Sequence, residues 1–490
     1  MSTRVGLDRE SLPSEPRWAA PLAWGVLLLL LAGVSASVLT FDYRSNPVAG
    51  DEASFLLQAL SLAEPPHDLK FDGRDLARWT RLGWEPRPRG LIFQRSSHGI
   101  VFGKPYGYSV VLAPWIRIFG KIRGVVAANA TIFLGLVGIA IVMLRRRYRG
   151  AVVPLTAGAF YLASSAYLYA YVIHTDLFVA LLVASVCLLA TDTGVAVNGW
   201  RPAVAAAVVA FATAEKPPLI LLLGPVLVAS VMETRRPRST ALLSAAVFAA
   251  AYLVSIFPYV HYSDGAAITP YTGESYYSPS GYVGPGLTQT GARLIRNHHE
   301  PKRYLLETLR HPRRWRESAR SLGYYLVGAH TGIVIFQPLA TLLFAAALPR
   351  AFRRPPSAAL AIGIIAYVLF YVVVFPANYY GGGQSIGNRY FLQIMPAALA
   401  LAVAAEIPAR LLAMLAGVAA IVGTVALAPH HLSPRDAFVN LWRESAVQRL
   451  LPLERNQANV RSFIPPEARL SPTGGDGTRG GRGPAAKEAP

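Results

Sequence analysis

The chain has 490 residues, of which 53% are hydrophobic and only 15% charged, a balance that argues against a soluble globular domain and for a membrane protein. Its single cysteine, Cys187, excludes an internal disulfide framework and a cysteine-rich metal site. The formal net charge of +20 suits a membrane protein that uses basic residues for topology, for anionic headgroups or for an anionic ligand.

A bilayer core of roughly 30 Å takes about 20 mostly apolar helical residues. In chain order, runs near that length predict spans at 20–41, 125–144, 152–172, 175–192, 203–216, 217–232, 240–260, 331–349, 357–376, 390–405 and 411–428, eleven in all. The pair that meets at Lys216-Pro217-Pro218 is short on either side and reads as a tight hairpin or as two half-helices. Basic residues accumulate at Arg4, Arg9 and Arg17, in "RRRYR" (145–149), in "RRPR" (235–238) and in "RAFRR" (350–354). The positive-inside rule therefore puts the N-terminus in the cytoplasm and, with an odd number of spans, the C-terminus outside. A cleaved signal peptide is disfavoured, because the first run exceeds the usual h-region of about 7–15 residues.

The expected organisation is a cytoplasmic tail (1–19), a transmembrane domain (20–428) with two long outer loops (42–124 and 261–330), an outer segment (429–464) and a disordered Gly/Pro-rich tail (465–490). In the first loop, "GDEASFLLQALSLAE" places Phe55, Leu56, Ala59, Leu60 and Ala63 at helical spacing, which predicts a helix lying at the membrane interface. Asp51 at its start is a natural N-terminal cap, and a carboxylate held still in that way also suits catalysis. Further on, "VFGKPYGYSVVLAPWIRIFG" (101–120) predicts a second interfacial helix. Lys104 before it reads either as a snorkelling anchor or as a ligand contact.

The order of these segments (apolar span, "GDEASFLLQALSLAE", "GKPYGYSVVLAPWIRIFG", second span) resembles the N-terminal part of the GT-C glycosyltransferases. The nearest kinds are the bacterial lipid A aminoarabinose transferases and the protein O-mannosyltransferases. The likeness covers roughly the first 230 residues, and "NYYGGGQSIGNRYFLQIMP" (378–396) resembles a later motif of the same superfamily. It implies an all-α polytopic fold, a GT-C-like bundle of about eleven transmembrane helices with interfacial helices in the first outer loop. It also implies a bacterial inner-membrane enzyme that moves a sugar from a polyprenyl-phosphate donor to a hydroxyl of a lipid, glycan or protein on the outer face. Carried over by residue, Asp51 is the catalytic acid, with Glu52 beside it. Lys104 meets the donor phosphate, and Asp176 in "YVIHTDLFVALL" takes the place of a second acid. The family's second proline is replaced by Tyr106 in "KPY", and the aminoarabinose substrate itself is not carried over.

The reaction needs a carboxylate to take the acceptor proton, cations for the phosphate leaving group and walls that align the two reactants. Asp51 is the candidate base, and Lys104, Lys216 and Arg389 are the candidate donor-phosphate ligands; Lys216 as the end of a span and Arg389 as an anchor remain alternatives. Tyr106, Tyr108, His174, Gln384 and Asn388 are candidate substrate contacts. His174, Asp176 and His330 suggest a metal site together with Asp51 but lack tight ligand spacing, so no cofactor is assigned and a divalent metal is left open. The basic and apolar residues alternating through 292–332 suit outer-leaflet amphipathic helices against membrane lipids or an anionic acceptor. Because that region faces outward, nucleic acid is excluded as a partner. A transporter or flippase of lipid-linked sugars is the alternative function.

Overall fold

The computed structural model describes residues 15–43, 48, 51–83, 91–97, 99–191, 200–265, 270, 275–278, 293–295, 305–306, 310–375, 386–430 and 445–453. It is predominantly helical, and each of the eleven apolar segments expected from the sequence falls on helix. The first is α1 (Ala19–Leu39). Between it and the next long helix lie α2 (Asp51–Ala63), α3 (Gly73–Thr80) and α4 (Gly107–Phe119). Then follow α5 (Lys121–Arg145), α6 (Val152–Leu162), α7 (Asp176–Ala190), α8 (Trp200–Glu215), α9 (Leu219–Met232) and α10 (Pro237–Tyr262). Beyond the second long loop come α11 (Pro312–Val327), α12 (Pro338–Ala351), α13 (Pro355–Val374), α14 (Ile394–Ala404) and α15 (Ala409–Leu427).

Five of these, α1, α5, α10, α13 and α15, are long and apolar enough to cross a membrane, which makes the chain an integral membrane protein. Burial sorts them. The apolar windows of α1 and α10 are 11% and 17% buried against 56% for α5 and α13, so the first two present leucines such as Leu28, Leu29 and Leu242 outward while the others form the centre. A stripe of that kind in water would be an aggregation surface; against lipid it is the solvent-matched face.

The run 152–172 is broken rather than straight. α6 stops at Leu162 and a 3₁₀ helix, Ser165–Tyr171, continues at 61° to it. The cause is local: Ser164 is extended and its hydroxyl accepts from the Ala166 backbone N–H, capping the new turn. Proline sets two other breaks. Pro217 and Pro218 separate α8 from α9, and Pro338 opens α12 after the single turn Ile333–Phe336, where a missing N–H costs nothing.

The two long loops depart from the all-α expectation. Strands β1 (Leu91–Ser96), β2 (Gly99–Phe102), β3 (Ser275–Ser278) and β4 (Arg293–Ile295) form one antiparallel sheet in the order β2-β1-β3-β4. Phe93 pairs with Phe102 on one side and Tyr276 on the other, so the sheet ties the two long loops together. Phe93 also packs on Phe71 at 4.5 Å. α2 differs too: from Ala53 to Leu60 every residue is buried, Ser54 and Gln58 included, so the protein encloses this helix on more than the one apolar face its sequence advertises.

Helix packing depends on close backbone approach at α13 and α9. A β-carbon at Gly363 would run into the Leu222 carbonyl oxygen, which is backbone and cannot step aside. Gly363→Val should therefore lower stability by roughly 1–3 kcal/mol, read as a lower thermal unfolding midpoint in detergent. A matched substitution at Gly138, where nothing lies within 4 Å, should be far milder.

Candidate functional site

Asp51 opens α2, and its carboxylate is met by groups from three other parts of the chain. Lys104 Nζ is 2.7 Å from Oδ1. Arg389 Nη2 and His174 Nε2 lie 3.4 and 3.3 Å from Oδ2. None of the four side chains is more than 22% exposed, and none is fully sealed. Burial alone would raise the Asp51 pKa, but Lys104, the hydrogen bond from His174 and Arg389 outweigh it and hold the carboxyl well below the usual carboxylate range.

A second, deeper carboxylate stands behind the first. Asp176, 1% exposed at the start of α7, has His174 Nδ1 at 2.7 Å in an oblique approach and Lys216 Nζ at 3.4 Å, and accepts from Gln393 Nε2 at 3.0 Å. The same Gln393 uses its oxygen to accept from Lys216 Nζ and from the Tyr367 hydroxyl, each at 3.1 Å. Lys216 also sits over the Tyr390 ring at 4.7 Å. His174 Nε2 also lies 3.1 Å from Arg389 Nη1, and whether it donates to Asp51 or accepts from Arg389 is set by the tautomer. The carboxylates of Asp51 and Asp176 thus lie among the side chains of Lys104, Lys216 and Arg389, with Glu52 beside them.

Each charge is positioned by backbone that the sequence pins in place. The Lys104 carbonyl accepts from Gln58 Nε2 at 3.2 Å and from the Tyr259 hydroxyl at 3.0 Å, and Ser109 donates to Gln58 Oε1 at 2.9 Å. Glu215 accepts from the Gly107 N–H at 2.7 Å, docking the start of α4 beside the residue that precedes Lys216. A β-carbon at Gly107 would lie 2.5 Å from that same carboxylate, which would have to shift to admit it. Asn129 of α5 donates to the carbonyls of Ala170 and Val172, which shapes the segment carrying His174. In the 386–393 loop, Gly387 has φ +67°, its N–H donates to the His330 carbonyl at 2.6 Å and its own carbonyl accepts from Tyr169 at 3.0 Å.

Of the residues singled out from sequence, the structure brings Asp51, Lys104, His174, Asp176, Lys216 and Arg389 into one cluster. The Lys104 ammonium is paired with Asp51. Glu52 lies beside the cluster with its carboxylate accepting from the Ile173 N–H at 2.9 Å. Tyr106 and Tyr108 spend their hydroxyls on the Ser255 carbonyl and on Asn129, and Asn388 is fully buried, accepting from the Tyr390 N–H. Gln384 lies outside the described residues. Gln58, Gln393 and Tyr390 were missed; the signal for the two glutamines was a lone polar residue inside an apolar run, "SFLLQALSL" and "YFLQIM". Among the described residues no group of three His, Cys, Asp or Glu side chains is placed to hold a metal ion. The donor set does not fit one either, since Lys104 and Arg389 already neutralise Asp51 and both His174 nitrogens face partners.

No protein-family model matches the chain, and no curated protein matches it. Among solved structures it is similar to crystal structures of ArnT from Cupriavidus metallidurans, one bound to undecaprenyl phosphate and one in the apo state. The identities are 15% and 16%, each with a TM-score of 0.45. The match covers 79% of this chain, which spans 60% of theirs.

The low Asp51 pKa has a sign. A carboxylate whose folded pKa is depressed contributes stability above its unfolded value of about 3.9 and loses it as pH falls through the lower folded value. Asp51→Asn should therefore cost a roughly constant amount of stability from pH 5 to pH 8. The gap to wild type should close only in strong acid, as read by thermal unfolding across pH.

Proposed function

We propose that the chain is a GT-C-type glycosyltransferase that moves a sugar from a polyprenyl-phosphate donor to a hydroxyl acceptor at the outer face of the membrane. The observation that carries this reading is the sharing of one carboxylate by two cations, Lys104 at 2.7 Å and Arg389 at 3.4 Å. Such a carboxylate is a poor base while the cations hold it. A donor phosphate competes for the same nitrogens, and as they turn to it Asp51 regains basicity. The acceptor hydroxyl then gives its proton to Asp51 while its oxygen attacks the anomeric carbon. The bond from that carbon to the phosphate oxygen breaks, its electron pair stays on phosphate, and Lys104, Arg389 and Lys216 stabilise the added negative charge. A single in-line displacement of this kind inverts the anomeric centre. Asp176 holds His174 and Lys216 in register, and Glu52 fixes the first turn of α2.

The proposed topology is eleven spans through residues 20–428 with the N-terminus cytoplasmic in a bacterial inner membrane, α2 to α4 at the outer interface, and 429–464 and the 465–490 tail outside. The shorter apolar helices α7, α8, α9, α12 and α14, at about 1.5 Å per residue, cross by tilting little and by local thinning. A cysteine introduced at Gly475 should be labelled by an impermeant reagent from outside; labelling from the cytoplasm alone would refute the count.

The alternative, a transporter or flippase of lipid-linked sugars, draws on the breaks at 163–164 and 216–218, since broken helices are common at transport sites. Purified protein in detergent separates the two, because transfer without a sealed membrane is open to an enzyme alone. With polyprenyl-phosphate sugars and a candidate acceptor, Asp51→Asn should lower transfer by about 10²–10⁴-fold while donor affinity holds or tightens, since the cations lose their competitor. Lys104→Ala should raise the donor KM most. Unchanged turnover in Asp51→Asn would reject the assignment.

A further inference from the structure

A second anion-sized site lies at the other end of the bundle. α1, α5 and α6 enclose a cavity of about 300 Å³ lined by Trp24, Arg145, Tyr148, Arg149, Gly150 and Val153. Asn129, which braces the segment next to Asp176, lies 16 residues before Arg145 on α5, or about 24 Å along the helix, so this cavity is separate from the carboxylate cluster. Arg147 pairs with Glu406 at 3.2 Å and the Tyr148 hydroxyl donates to the Ile407 carbonyl at 2.6 Å. Glu15 accepts from the Ala151 N–H through Oε1 at 2.7 Å, and its carboxylate lies against Gly150 at the cavity wall. Arg145 and Arg149 are exposed at the cavity rim and make no ion pair among the described residues.

A guanidinium can clasp a phosphate with a fork of N–H donors, and Arg145 and Arg149 bring two of them to this cavity. The cavity is also continuous with a lipid-facing surface. Leu28 stands one turn from Trp24 on the same face of α1 and is 61% exposed, and a tryptophan between basic residues and an apolar stripe is the usual marker of the headgroup level. We infer that this cavity binds the phosphate headgroup of an anionic membrane lipid, held by Arg145 and Arg149 beside Trp24, with the hydrocarbon running along the Leu28 face of α1. Basic pockets between transmembrane helices take headgroups of this kind.

The test uses the full-length protein in detergent and reads lipid retention by native mass spectrometry, together with the unfolding midpoint. Neither readout depends on sugar transfer. The additives are phosphatidylglycerol, phosphatidylcholine and inorganic phosphate. Wild type should keep phosphatidylglycerol adducts and be stabilised by that lipid, and the Arg145→Gln/Arg149→Gln variant should bind it roughly tenfold or more weakly. Phosphatidylcholine and inorganic phosphate should protect neither. The Arg145→Lys/Arg149→Lys variant keeps the charge without the fork and should fall between; it carries the comparison if the glutamine variant does not fold. Equal phosphatidylglycerol retention by wild type and variant, equal protection by phosphatidylcholine, or full protection by inorganic phosphate alone would each overturn the inference.

Discussion

The organising constraint is the cost of holding the Asp51 carboxylate ionised inside a largely apolar molecule. An isolated buried carboxylate is disfavoured by several kcal/mol or more and would take up a proton instead. Lys104 and Arg389 remove that cost from opposite sides, and they lie 53 residues downstream and 338 residues away in the chain. The fold must therefore bring the end of β2, the start of α2 and the turn before α14 to one point. A fold that failed to do so would leave at least one unpaired charge in a poorly solvated place.

The remaining polar groups near this point are organised around positions rather than around charge. Gln58, Tyr259 and Ser109 hold the Lys104 backbone, Glu215 holds the N-terminus of α4, and Glu52 holds Ile173. Each is a buried or half-buried polar side chain whose partner is already assigned, which is what a low-dielectric surrounding demands. The consequence is a rigid frame with flexible tips. Lys104 has its main chain tied at the carbonyl, while its four-carbon stem remains free to carry the ammonium from a carboxylate to a ligand.

Outside this cluster the molecule divides by burial. α5 and α13 form the centre, α1 and α10 the lipid-facing rim, and the β2-β1-β3-β4 sheet fastens the two long loops over one end. The sheet and the buried α2 mean that the first loop is a packed layer rather than a set of helices floating at the surface. Phe71, Phe93 and Phe102 form its small core. The glycines at 107, 363 and 423 are contacts in this plan, since each marks a place where another residue's atoms occupy the space of a β-carbon.

The amino-acid sequence by itself determined where the helices run, because a twenty-residue apolar stretch in a chain this poor in charge has few alternatives, and Pro217-Pro218 and Pro338 punctuate it by chemistry that acts locally. It also made Asp51, Lys104, Asp176 and Arg389 conspicuous, since a charge beside a span needs a reason. Only the tertiary structure decided which charges meet and which neighbours serve as props. Gln58 and Gln393 looked like interruptions of apolar runs until the fold turned them toward Lys104 and Asp176. The protein partners of Tyr106, Tyr108 and Asn388 likewise come from the fold: the Ser255 carbonyl, Asn129 and the Tyr390 N–H. The sheet was hidden for the same reason: strands such as Leu91–Ser96 are too short to declare themselves, and their pairing with Ser275–Ser278 is set by contacts nearly two hundred residues apart, which no local pattern encodes.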